Sequence, residues 1–415
     1  MSDMEQRTKV KRPRLMTGPF LLVMAANLSY FISVGAMQPV VPRFVKGPLG
    51  SGEVAVGLTI GIFSLAAVIL RPWVGRLGDR KGRRLLLMAG GFIIAASLIG
   101  YVPANSLPLL LAFRFLSGVG EAFFYVGAAS VINDLAPEER RGEALSYFSL
   151  SLFGGLALGP VIGELVLEAA GFDPTWLVAA GCAALAGTVG FFVPETRPEG
   201  AAEHRNGQLV HRAALMPGAV LGANIFGLAT FVTFVTLYSL ELGMSGGRYV
   251  FAFHSVLLLL IRSLGARIPD ILGPARAARM ALASAAVGMA TIGIWDSVPG
   301  LFTGVAIWSV GHSLAFPALM TMAIRNAPPS ERGAVVGTFT AFFDLSFGVG
   351  SVSAGAIAAA FGYEGAFVVA GIVAGIGLVL LLLRARLRDR ARARGELEHH
   401  AAGDGSEVGI VVRKP

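Results

Sequence analysis

Apolar runs of about 20 residues recur from Phe20 to the arginines near residue 384, and they restrict this chain more than any other feature. A run of that length crosses about 30 Å of hydrocarbon as a helix. Inside a bilayer the backbone must satisfy its own polar groups, so such runs are helices. Composition agrees: 14% of the residues are charged, against about 25% in an average soluble domain. The pattern predicts an all-α integral membrane protein of twelve spans, at about 19–42, 54–74, 85–104, 108–131, 144–169, 175–193, 216–240, 248–268, 277–296, 299–325, 335–360 and 364–384. Residues 1–18 read as a basic tail, 194–215 as a polar linker, and 385–415 as an arginine-rich, then Gly-rich tail without fixed structure. The run after the basic N-terminus is span-length and lacks a small-x-small cleavage site, so it reads as the first span rather than a signal peptide.

Charge distribution sets the expected topology. Loops on the side of the N-terminus carry Arg76 to Arg84, Arg140, Arg141, Arg197, Arg205, Arg212, Arg267, Arg276 and Arg332. Loops on the other side carry Arg43, Lys46 and Arg248. The positive-inside rule then puts both termini in the cytoplasm of a cell-membrane protein. The net charge of +8 resides in these loops and tails, which makes it a topology signal and not one for nucleic acid. The lone Cys182 excludes a disulfide framework and a cysteine metal site. No metal or cofactor is expected.

An internal repeat divides the chain. A shift of 191 positions carries Arg71 onto Arg262, Asp79 onto Asp270, Gly120 onto Gly311, Arg141-Gly142 onto Arg332-Gly333 and Gly159 onto Gly350. A shift of 197 carries Asn27 onto Asn224. The reading is two pseudo-symmetric six-helix bundles, 19–193 and 216–384, with a cavity between them where transporters bind cargo near the midplane.

Between the second and third spans lies GRLGDRKGRR, Gly75 to Arg84, with five cations around Asp79. The spans on either side make it a turn at a membrane face, which Gly75, Gly78 and Gly82 would allow. It resembles motif A of the major facilitator superfamily, G-x-L-x-D-R-x-G-R-[RK], through Gly75, Leu77, Asp79, Arg80, Gly82, Arg83 and Arg84. In span 4, Arg114-Phe115-Leu116-Ser117-Gly118-Val119-Gly120 resembles motif B of proton-coupled members, with Ser117 in place of a frequent Gln. In span 5, Gly155, Gly159, Pro160 and Gly163 resemble motif C, associated with exporters. There Glu164 replaces the last Gly, and the bland reading is generic helix packing.

Ionisable residues inside spans are functional candidates by default. Spans 3, 6, 9 and 12 have none in their interiors, as expected if every third helix faces lipid. In span 4, Arg114, Ser117, Gly118, Glu121 and Tyr125 share one helical face, and Glu121 lies about 20 Å into the helix by rise. The structural alternative is a fixed Arg114–Glu121 pair, or Arg114 bonded only to carbonyls. His312 takes the repeat position of Glu121, beside Ser309, Ser313 and Phe316, and Asp344 lies about 15 Å into span 11. Glu121, Asp344, His312 and Arg114 are the proton-coupling candidates. Asn27, Tyr30, Gln38, Ser117, Tyr125, Asn224, Ser309 and Phe316 are the cavity candidates, each with helix packing as its alternative. Gly75, Asp79, Arg80, Gly82, Arg83 and Asp270 are the gate candidates, with Asp79 expected to meet span 11 near Gly333. His254 and Glu164 have no assigned role.

The resemblance extends over all twelve spans and implies a monomeric 12-span drug:proton antiporter of alternating access, with protons, membrane lipid and a small organic molecule as partners. The side-chain mixture suits amphiphilic organic cations. The alternative within transport is proton-coupled uptake or export of a sugar, peptide-like metabolite or siderophore. A non-transporting sensor or membrane enzyme is the remote alternative: no clustered nucleophile or metal set, and no Walker A pattern, is present.

Overall fold

Among the described residues the chain forms helices where its apolar runs predict them, and several extend further than hydropathy suggests. The computed structural model describes residues 15–197, 210–264, 271–325, 327–328 and 331–403. Its helices are α1 (Gly18–Lys46), α2 (Glu53–Lys81), α3 (Arg83–Ile99), α4 (Leu107–Leu135), α5 (Arg141–Ala170), α6 (Phe172–Gly190), α7 (Arg212–Glu241), α8 (Arg248–Leu264), α9 (Pro274–Ile294) and α10 (Val298–Arg325). A last helical run, Arg332–Gly403, is broken at Gly362 by backbone angles of φ 75° and ψ 178°, a conformation open to glycine because it has no Cβ. Its two arms are α11 (332–361) and α12 (363–403).

Among the described residues, nine helices are long and apolar enough to cross a membrane, the run from Ala334 to Leu387 counted as one. Of the twelve expected spans, the third and eighth appear as the 17-residue helices α3 and α8, and the last two lie in the arms either side of Gly362.

Three expectations change. The stretch from Gly75 to Arg84 is not a ten-residue turn: α2 continues through Lys81, Gly82 alone leaves the helix at φ 106°, and α3 starts at Arg83. A single glycine suffices because its carbonyl and amide neighbours are satisfied from elsewhere, as described below. The second span therefore ends at 81 rather than 74. Helix also continues past 384 to Gly403, where a structureless tail was expected. Alanine and arginine recur there, and both are strong helix formers.

The helices pack as two bundles. In the first, α1 packs on α5 and α6, α3 on α4 and α6, and α2 on α4. In the second, α9 packs on α10, and α7 and α9 on the last run. The bundles meet through α1 with α7, α2 with α11 and α5 with α8, the pairings a repeat of half the chain would generate. The motif C glycines serve the first bundle internally: a Cβ at Gly159 would lie 2.6 Å from Ala36 N, and one at Gly163 2.5 Å from Ala36 O. Small residues thus let the backbones of α1 and α5 touch.

The contact between bundles is uneven in depth. At the start of α2, remote from the chain's N-terminus, Gly57 and Gly61 face Ser351, Gly355 and Gly348 of α11. A Cβ at Gly61 would lie 2.6 Å from Gly348 O, so this end is sealed backbone to backbone. Towards the opposite end, where α1 begins, a cavity of about 570 Å³ opens between α5, α8 and α10.

Candidate functional site

The sealed end has a second element. Glu164 of α5 is fully buried, and its carboxylate accepts hydrogen bonds from Gly247 N and Arg248 N, both 2.8 Å, of the other bundle. These are the free amides at the start of α8, where a carboxylate is favoured by both the unpaired donors and the helix dipole. Glu168, one turn further on, pairs with the Arg248 side chain. Glu164 is thus an N-cap supplied across the bundle interface. Charged hydrogen bonds of this kind are worth about 1.5–3 kcal/mol each. Glu164→Ala should therefore open this end in a fraction of molecules at least tenfold larger. In a background without Cys182, a cysteine at the fully buried Ser351 would report this as faster thiol labelling; an unchanged rate would remove Glu164 from the seal.

At mid-depth, side chains from four helices of both bundles converge. Arg71 of α2 forms an ion pair with Asp344 of α11, joining the bundles. Its other terminal nitrogen lies 3.9 Å from Glu121 Oε1 of α4, and its guanidinium stands over the Tyr125 ring, 4.7 Å from the centroid. Tyr30 of α1 donates a 2.7 Å hydrogen bond to Glu121 Oε2, and its ring stacks on Phe124 at 3.8 Å. Glu121 is 8% and Asp344 9% exposed. One guanidinium therefore serves two nearly buried carboxylates, and a phenol shares one of them. Such an arrangement is a coupled network in which a change of charge at one member alters the contacts of the others.

The remaining candidates lie elsewhere. Arg114 does not reach Glu121; its Nε donates to Thr59 O at 2.9 Å and its guanidinium covers Phe63. This is the carbonyl-bonded alternative, and two helical turns of separation from Glu121 is the reason. Ser117 bonds Ser97 and Tyr101 inside the first bundle. With Arg114 and Gln38 it lines a small void of about 80 Å³. Asn27 donates to Ser151 Oγ, 2.7 Å, and Phe148 O, tying α1 to α5. Asn224 is buried, and neither amide atom has a partner among the described residues. Ser309 bonds His254 Nδ1 at 2.8 Å, and His254 stacks on Trp308. His312 sits beside Trp308 and His254, with its Nδ1 buried and without a hydrogen-bond partner among the described residues. Phe316 lines the 570 Å³ cavity.

Motif A is tied to the end of α4 and to the residues that follow α6. Glu195 accepts from the amides of Arg83, 2.8 Å, and Arg84, 3.3 Å, and so caps α3. Arg197 donates to Arg80 O at 2.6 Å. Arg83 pairs with Asp134 and lies 3.8 Å from Asp79. Asp270 lies outside the described residues.

Arg71 is the residue that sequence reading passed over. With span 2 expected to end at 74, Arg71 lies three residues from the expected boundary. With α2 ending at Lys81, it lies ten residues inside, about 15 Å from the helix end. The signal was present, since the repeat aligned Arg71 with Arg262, and an intramembrane arginine in both halves is costly without a purpose.

The chain is also matched by sequence to a known family. The family model described as Major Facilitator Superfamily matches residues 23–327 and 250–406. The chain belongs to the major facilitator superfamily. An uncharacterised MFS-type transporter of Salmonella typhimurium strain LT2, STM4428, is 28% identical over 364 residues, 86% of this chain and 93% of that protein. A Burkholderia pseudomallei K96243 protein of the same description, BPSL2729, is 26% identical over 84% of this chain and 87% of its own length. The fold resembles that of the human organic anion transporter MFSD10, with a TM-score of 0.67 and 18% identity, covering 87% of this chain and 98% of that one. It also resembles a bacterial homologue of the lysosomal transporter Spinster in an inward-facing, occupied conformation, with a TM-score of 0.74 and 15% identity over 88% and 96% of the two chains. The chain is accordingly a membrane transporter of a small molecule, not an enzyme.

Proposed function

We propose that this major facilitator is a proton-coupled exporter of a small organic molecule, working by alternating access between the bundles 19–193 and 216–384. The observation that carries the proposal is the Arg71 bridge. It links Asp344 of one bundle to Glu121 of the other at mid-depth, so protonating Asp344 weakens the ion pair between the rocking parts, whereas protonating Glu121 leaves Arg71 to Asp344 alone and tightens it. A proton held there is thereby tied to the conformation. Export is supported by the motif C residues that join α1 to α5, and uptake remains the competing direction.

In this reading the termini and the open cavity face the cytoplasm, the conformation is inward-facing, and the protein acts as a monomer in the cell membrane. Asp79 reaches the start of α11 near Gly333 when the cavity side closes. The test is a substrate panel in proteoliposomes under an imposed pH gradient, scored for direction. Accumulation of a panel member driven by the gradient supports coupling; flux indifferent to the gradient removes it. Sidedness has its own check. A cysteine at the exposed Val210 should be labelled by an impermeant maleimide in inverted vesicles and not in intact cells, and the reverse result overturns the topology.

A further inference from the structure

The repeat that carries Arg71 onto Arg262 carries the whole mid-depth cluster onto a different chemistry. Shifted by 191, Glu121 becomes His312, Tyr125 becomes Phe316, and Phe153, on α5, takes the place of Asp344. The structure keeps the geometry: Arg71 reaches across the bundle interface to Asp344, and Arg262 reaches across it to Phe153, 4.0 Å above the ring centroid. The second copy has kept the cation and lost both carboxylates. Among the described residues Arg262 makes no ion pair.

Arg262 and Phe153 form the wall of the 570 Å³ cavity, with Phe316 and Leu150 as apolar neighbours and Ser146 and Ser313 as hydroxyl groups. The acid on the lining is Glu143, at the first turn of α5, which is engaged by Arg140 at 2.8 Å. A guanidinium at membrane depth without a carboxylate is expensive unless water or an anion meets it. Its planar fork matches carboxylate, sulfonate and phosphate oxygens in pairs, and its face is already held by an aromatic ring. The volume is that of an ordinary small-molecule site.

We propose that the cargo is an organic anion with an aromatic or apolar body. Its acidic group binds the Arg262 fork, and its body lies among Phe153, Phe316 and Leu150. This reverses the preference for cations suggested by side-chain mixture alone. It also divides the two arginines: Arg71, satisfied twice over, belongs to the proton, and Arg262 to the cargo. The inference rests on the transport reading above.

The test uses the purified full-length chain and three probes of one shape: naphthalenesulfonate, which stays charged at any working pH, naphthylmethyl-trimethylammonium and naphthylmethanol. In equilibrium binding the sulfonate should bind at least tenfold more tightly than either of the others. Arg262→Gln should lose tenfold or more of that affinity. Arg262→Lys should lose less and keep the preference for the anion, and it carries the test if the glutamine variant does not fold. Arg386→Gln, at an exposed position of α12 away from the cavity, should leave sulfonate binding within twofold. Equal or tighter binding of the ammonium probe, or sulfonate affinity indifferent to both Arg262 variants, overturns the proposal. Binding needs no gradient, so the two readings fail separately. Arg262-dependent sulfonate binding without pH-driven flux refutes only the coupling. Gradient-driven flux of the ammonium probe refutes only the anion.

Discussion

Arg71→Gln should abolish pH-driven transport and weaken the fold, the largest effect expected from any single polar substitution in this chain. Arg71 is the cation shared by Asp344 and Glu121, both at most 9% exposed. Removing one partner of a buried pair costs about 3–5 kcal/mol, because the other is left charged and desolvated. Here Asp344 is orphaned outright, and Glu121 loses its cation but keeps the Tyr30 hydrogen bond. Protonation relieves part of that cost, so the variant should melt lower in detergent and lose more of its stability at higher pH, where the carboxylates would ionise. Adding Asp344→Asn should recover most of the melting temperature without recovering coupled transport, since the bridge between bundles is still absent. Arg71→Lys keeps a charge but not a fork able to face two acids, and should be intermediate. Transport by Arg71→Gln within twofold of the unmodified protein, at equal membrane level, would show that the bridge is not part of the cycle.

Glu121→Gln separates chemistry from structure. The glutamine can still accept the Tyr30 hydroxyl that now donates to Glu121 at 2.7 Å, so the α1–α4 contact survives and the protein should fold normally. What disappears is a charge that can be gained and lost. Burial and a neighbouring arginine act in opposite directions on a carboxyl group, and rocking the bundles changes both at once by parting Arg71 from Asp344, which frees its guanidinium for Glu121, and by admitting water. Accumulation against a gradient should therefore fall at least a hundredfold, while exchange of substrate down its own gradient continues. Parallel Asp344→Asn and His312→Gln variants would show whether either site shares the proton. Should Glu121→Gln accumulate substrate at the unmodified rate, the coupling carboxylate is Asp344.

How far the candidate site was legible can be followed residue by residue. Glu121 and Tyr125 were found because α-helix periodicity alone places them on one face with one turn between them. Asp344 was found because an acid deep in a span is costly wherever it points. Their convergence was invisible, since Asp344 and Glu121 lie on different bundles. Arg114 illustrates the opposite case: sharing the Glu121 face of α4 did not bring the two side chains into contact, because Thr59 O offered a closer partner. Glu164 had no assigned role, because the groups it satisfies are backbone amides more than eighty residues away.

By itself the sequence determined that this chain is a helical membrane protein of two related halves, because a 30 Å apolar slab imposes a run length and a repeat is visible as identity at a fixed shift. It also determined the family, through motifs whose residues are neighbours along one helix or one helix end. Only the tertiary structure decided which end of the molecule is sealed, which arginine holds the acids, and which one stands in a cavity without them. Those are relations between helices. Hydropathy fixes how many residues lie in the membrane, but the partner of a buried charge is set by helix rotation and crossing, which depend on glycine contacts such as Gly61 with Gly348.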